Sequence, residues 1–115
     1  MESKQLSELA IEALDDLKAE NIKVIDVRDR CSFTDYMVFA SGTSERHVKA
    51  LANNVVTEAK QAGERPMGVE GEQQGDWLLV DLVDVVVHVM LPETREFYQL
   101  EKFWSAPPAP TDEVE

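Results

Sequence analysis

Two histidines, one cysteine and a Gly-Thr-Ser turn are the residues of this chain best suited by type to chemistry. Gly42-Thr43-Ser44 sits between an apolar run and a helical pattern, a place where helix amides can draw a phosphate. The turn has no Walker lysine and no repeated glycine, and a Thr or Ser there serves first as an N-cap. His47 falls on the helix that follows and His88 on a distant apolar run. No His-x-x-x-His, cysteine pair or Asp-x-Asp accompanies them, so no metal site is expected. Asp81 and Asp84 flank a turn and need not converge. No Gly-x-Ser-x-Gly elbow supports Ser-His-Asp catalysis. Catalytic residues and cofactors are therefore expected to be absent, and Cys31 reads as a packed or surface thiol.

The chemistry of recognition is better represented. Residues 76–82 and 85–91 are two apolar runs close enough together to form a hairpin. With Val83 and Asp84 as the turn, Leu82 pairs with Val85, Val80 with Val87, and Leu78 with Val89. Alternation places those six on one aliphatic face. The opposite face carries Asp81 beside Val86, Leu79 beside His88, and Trp77 beside Met90. A one-residue slip would push Asp81 into the aliphatic face, which favours this register. The mixed face either lies under a helix or is partly open to another protein. Trp and Met are enriched at interface cores, where a buried Trp anchor is worth about 2 kcal/mol or more.

Charge bears on that choice. Between Pro66 and Thr94 there is no Lys or Arg, while Glu70, Glu72, Asp76, Asp81, Asp84 and Glu93 all fall there. Acids without bases around a Trp suit a basic partner; they also suit a solvated edge that resists aggregation.

The elements that must position these residues follow from periodicity. Leu6, Leu9, Ala10, Ala13, Leu14 and Leu17 form one stripe of a helix over residues 4–20. Ile22, Val24, Ile25 and Val27 read as a strand. Residues 35–41 read as a second, apolar on both faces and so central in its sheet. A helix from the Gly42 turn to about Ala62 presents Val48, Leu51, Ala52, Val55, Val56 and Ala59, with Gly63 as its stop. Residues 67–71 suit a short strand before the hairpin. Pro92 opens a last helix to about Trp104, presenting Phe97, Leu100 and Trp104. The expected order is α-β-β-α-β-β-β-α, an α/β fold with a mixed five-stranded sheet flanked by helices.

Composition sets the outer bounds. The 115 residues suit one domain, placed at 1–104, with a Pro-rich acidic tail at 105–115 expected to be disordered. With 43% apolar residues the chain can build a core. Its 23 acids against 11 bases give a net charge of −12, which disfavours direct binding of nucleic-acid phosphates or anionic membrane. One cysteine, no signal-like N-terminus and no spanning run point to the cytoplasm.

Several blocks resemble the ribosomal silencing factor family, also called RsfS or Iojap. They are Thr34-Asp35-Tyr36-Met37, Ser41-Gly42-Thr43-Ser44-Glu45-Arg46-His47-Val48, Gly68-Val69-Glu70-Gly71, the segments 76–82 and 84–90, and Glu93-Thr94-Arg95-Glu96-Phe97-Tyr98 continuing to Trp104. The resemblance covers about residues 4–104. It implies a nucleotidyltransferase-like fold without enzymatic activity. It also implies binding to the large ribosomal subunit through its protein fourteen, steric blocking of small-subunit joining, and lowered translation in starvation or stationary phase. Resemblance and hairpin geometry together suggest Trp77, Asp81, Leu82, His88, Met90 and Tyr98 as contacts, with Glu70 and Asp84 adding charge complementarity. Leu82 fits only at the hairpin tip, because it faces the aliphatic side. A Trp- and Met-bearing face also suits a homodimer of the free protein. A nucleotide-binding enzyme centred on Gly42–Ser44 and an adaptor for another basic protein stand as rival readings.

Overall fold

The computed structural model describes residues 1–105; the expected tail lies outside them except for Ser105. Helix α1, Ser3–Asp16, buries Leu6, Ala10, Ala13 and Leu14, four residues of the expected stripe. It ends short of residue 20 because Lys18 turns left-handed (φ 64°), with its N–H donating to Asp15 O and that of Ala19 to Leu14 O. Strand β1, Glu20–Asp26, can then start at once. Its pairing is irregular between Glu20 and Lys23, where Asn21 also has a positive φ.

Strand β2, Tyr36–Ser41, is buried at every position. Helix α2, Glu45–Gln61, follows, with the Ser44 side chain accepting from the His47 N–H as its N-cap. Gly42 makes this strand-to-helix turn possible: a Cβ there would lie 2.8 Å from Val48 Cγ2 and 2.9 Å from its N. Strands β3 (Gly68–Glu70), β4 (Trp77–Asp81) and β5 (Val85–Met90) complete the sheet. Its order is β1-β2-β5-β4-β3; β2 and β5 are parallel and the other pairs antiparallel. The central position expected for residues 35–41 is thus observed.

Each face of the sheet has its own apolar cluster. Val38, Ala40, Leu78, Val80, Val85, Val87 and Val89 pack under α1 and α2 with Leu6, Leu14, Leu51 and Val55. Burying each such side chain contributes about 2 kcal/mol before entropy is counted. On the other face Ile25, Val27, Met37, Phe39 and Met90 form a smaller cluster, against which Cys31, Trp77, Leu100 and Trp104 pack.

The last helix departs from expectation. It is two helices, α3 (Pro92–Tyr98) and α4 (Leu100–Ser105), separated by Gln99 at φ 52°, ψ 41°. The break separates one supposed stripe into two fates. Leu100 and Trp104 turn onto the second cluster, while Phe97 stays 78% exposed. The break is clamped by Arg95, whose Nη1 donates to Ser41 Oγ at 2.9 Å and whose Nε and Nη2 donate to Glu101.

Candidate partner-binding face

The hairpin has the expected register: Trp77 opposes Met90, Leu79 opposes His88, and Asp81 opposes Val86. Strand pairing extends these into rows across the sheet. One row runs Glu70, Leu79, His88, Phe39, Lys23. At the β1 side the face is covered, since α4 lies against β1. At the β4–β3 side it is more open: Trp77, Leu79 and Asp81 are half-buried and Glu70 is exposed.

The open side rests on a rigid aromatic ladder. His88 stacks flat on Phe39, centroids 4.7 Å apart at 7°. The Trp77 indole N–H donates to His88 Nδ1 at 3.2 Å. Accepting at Nδ1 places the imidazole proton on Nε2. Burial pushes the His88 pKa down to about 4, so the ring is neutral at physiological pH. Trp77 is thereby fixed at both edges, because its ring also meets Tyr98 at 5.0 Å. Tyr98 is half-exposed and meets Phe97 edge-on at 4.9 Å.

Trp77 and Tyr98 border a shallow groove of about 260 Å³ that Glu70, Gly71, Gln74, Asp76 and Leu79 complete. Asp76 shapes its end: its carbonyl accepts from Leu91 N, and its carboxylate accepts from Thr94 Oγ1 at 3.3 Å. Those two bonds place the start of α3, and with it Tyr98. Gly71 is required beside the groove, since at φ +94° a Cβ would lie 2.1 Å from Trp77 O.

Asp81 lies at the far end of the same strand face, about 13 Å from Trp77 at the usual rise per residue. Its Oδ1 accepts from Val83 N at 2.8 Å. Asp84 N donates to Leu82 O at 3.0 Å, closing a γ-turn about Val83 at φ 74°. A β-branched residue is strained there. Asp84 is exposed at the tip, and its carbonyl accepts from Asp35 N and Tyr36 N.

Seven of the eight proposed contacts fall into three groups. Trp77, Tyr98 and Glu70 converge on the groove, and Asp81 and Asp84 lie along the hairpin toward its tip. Met90 and His88 are only 1% and 5% exposed, and so support the face from beneath. Leu82, also 5% exposed, packs with the aliphatic cluster under the helices, the side its place in the hairpin register predicts, and offers a partner almost no surface. The cause is alternation, which turns Leu82 away from Asp81. Sequence reasoning missed the Arg95 clamp and the Thr94–Asp76 bond. The one hint is that Arg95 is the first base after the base-free stretch.

The Gly42–Ser44 turn has little left for a phosphate. Gly42 N donates to Met90 O and Thr43 N to His47 Nδ1, while Ser44 Oγ takes His47 N. His47 Nε2 lies 2.7 Å from Leu17 O, so this histidine ties the end of α1 to the start of α2. Among the described residues, no group of three or more His, Cys, Asp or Glu could hold a metal ion. No described helix is long and apolar enough to cross a membrane.

A family model described as "Ribosomal silencing factor during starvation" matches residues 1–115. The ribosomal silencing factor RsfS of Chromobacterium violaceum is 48% identical over 104 residues, covering 90% of this chain and 85% of that protein. A mouse protein named "Mitochondrial assembly of ribosomal large subunit protein 1" is 44% identical over 90 residues, covering 76% of this chain and 40% of its own. A crystal structure of a Chromobacterium violaceum protein superposes with a TM-score of 0.90 at 46% identity, covering 95% of this chain and 92% of that one.

Proposed function

The chain belongs to the ribosomal silencing factor family, whose role is ribosome silencing and translation regulation, and from that premise we propose that it docks on the large ribosomal subunit and keeps the small subunit from joining. The partner is the subunit's protein fourteen, and the effect is steric, needing no catalysis. The observation that carries this reading is the open β4–β3 end of the sheet, where Trp77 and Tyr98 flank a groove with Glu70 and Asp76. Rigid aromatics give such a face its anchors, and a groove lined by Glu70 and Asp76 with no base among its lining residues suits a basic ribosomal protein. The same acids repel rRNA phosphates, so contact through a protein is the favoured way onto an RNA-rich particle.

The large subunit is also the particle in the mouse relative's printed name, which supports the choice of subunit. The test is to mix purified large and small subunits with the protein and sediment them. Separate subunits, with the protein on the large one, are expected. Joined ribosomes at saturating protein, or absence of the protein from the large-subunit fraction, would count against the proposal.

Self-association of the free protein is a second reading. Phe97, Phe103 and Phe33 are 78%, 70% and 65% exposed, large aromatic side chains that a second copy of the chain could cover. A mass rising with concentration in sedimentation equilibrium would support it.

A further inference from the structure

On the other side of α3 from the groove lies a recess of about 520 Å³ with the opposite charge character. It sits at the carboxyl ends of β2 and β5, the sheet's one parallel pair, where Ser41 opposes Met90 and α3 begins. Open α/β sheets bind ligands at the carboxyl ends of parallel strands. Lys23, Arg95 and Lys102 line the recess against Glu96 and Glu101, a basic balance in a chain of net charge −12. Arg95 is held in place from two directions. Its side chain is only 11% exposed, and it donates to the buried Ser41 hydroxyl at 2.9 Å and to the Glu101 carboxylate. Asn21 and Gln99, both lining residues, have positive φ there, one at the β1 pairing irregularity and the other at the α3–α4 break, and together they shape the recess wall.

We propose that this recess binds the phosphoryl group of a small nucleotide-sized ligand, with Arg95 and Lys23 as the phosphate contacts and Ser41 fixing the guanidinium. The volume lies within the usual range for small-molecule sites. Charge separates a small ligand from a nucleic acid: a polyanion must approach the whole acidic surface, whereas one phosphoryl group meets mainly the local basic balance. Gln99 directly follows Tyr98, so an occupied recess would bear on the helix that carries one wall of the partner groove. The site stands independently of the docking proposal, because none of its residues belongs to that groove.

The experiment is an NMR titration of the full chain with inorganic pyrophosphate, with AMP and ATP, and separately with a short single-stranded RNA. Saturable shifts at Lys23, Ser41, Arg95 and Gln99 are expected with the nucleotides. Pyrophosphate binding as tightly would confine recognition to the phosphoryl group, and tighter nucleotide binding would add base contacts; both support the site. Lys23→Gln, at an exposed position, should weaken binding about tenfold, the usual worth of one charge-assisted contact. Lys23→Gln/Lys102→Gln should weaken it further. Absence of saturable shifts up to about 10 mM overturns the proposal. So do shifts indifferent to both variants, or binding of RNA alone.

Discussion

The Trp77 indole N–H donates to His88 Nδ1 across the β4–β5 pair, and the same indole ring meets Tyr98 5.0 Å away. The residue best suited to anchor a partner is therefore held rigid before the partner arrives, which lowers the entropy cost of docking. Trp77→Ala should weaken binding to large subunits by about 30-fold or more, the scale of a lost aromatic anchor. Trp77→Phe keeps most of the apolar area but loses the donor, costing about 1 kcal/mol in stability and less in binding. Cosedimentation with large subunits and urea denaturation separate the two effects. Equal binding losses in both variants would mean the hydrogen bond, rather than the ring, carries the anchor.

His88 makes stability depend on pH. Its pKa is about 4 in the folded chain against 6.5 when solvated. Above pH 6.5 the ring is neutral in both states and costs nothing. As pH falls through 6.5 the unfolded chain takes up the proton first, so stability drops until about pH 4. The loss attributable to this ring is about 3 kcal/mol. His88→Gln should flatten that part of the stability curve, measured by denaturation between pH 4 and 7. A variant with the same slope as wild type would assign the loss to other groups.

The sequence reveals the hairpin because a single misplaced carboxylate, Asp81, penalises the wrong register. It reveals β2 because six consecutive buried residues leave no polar face to hide. It does not reveal the break at Gln99 or the early stop at Lys18, since both are ordinary helix-compatible residues that tertiary packing forces left-handed. The burial of Met90 follows from that hidden break: only when α4 turns back do Leu100 and Trp104 reach the second cluster. Sequence pattern thus finds the mixed face of the hairpin, whereas the covering of that face depends on a backbone conformation with no residue signature.

The Arg95–Glu101 pair should hold α4 to the sheet. The Arg95 guanidinium holds the Glu101 carboxyl below the usual carboxylate range. Its stabilisation is therefore present above the ordinary Glu value and is lost as pH falls through the lowered one. A double-mutant cycle with Arg95→Met and Glu101→Gln should give a coupling of about 2 kcal/mol at pH 7, since these are charge-assisted bonds with little exposure. The coupling should fade once the pH has fallen through that lowered value. A coupling near zero at pH 7 would leave the placement of α4 to Leu100 and Trp104 alone.

Val83 offers a gain in stability. A β-branched residue at φ 74° is strained, and its side chain is 47% exposed, so little packing would be lost on replacing it. Val83→Gly should raise stability by about 1 kcal/mol, because glycine adopts the positive φ of this turn without a Cβ penalty. Thermal denaturation checks this. A loss of stability would show that the Val83 side chain packs to better effect than its exposure indicates.

Asp81 and Asp84 separate charge from structure at the hairpin. Asp81 Oδ1 accepts from Val83 N, whereas the structural part of Asp84 is its backbone carbonyl, which no side-chain change removes. Asp81→Asn keeps an acceptor and deletes the charge; Asp81→Ala deletes both and should cost a further 0.5–1 kcal/mol or so in stability. If the hairpin acids complement a basic partner, Asp81→Asn and Asp84→Asn should each slow association a few-fold at low salt and converge on wild type as salt screens the field. Charge reversal in Asp81→Lys/Asp84→Lys should weaken docking by about a hundredfold and restore subunit joining. Association rates read at two salt concentrations decide the matter: neutral variants that bind at wild-type rates at both would remove the hairpin tip from the interface and confine docking to the Trp77–Tyr98 groove.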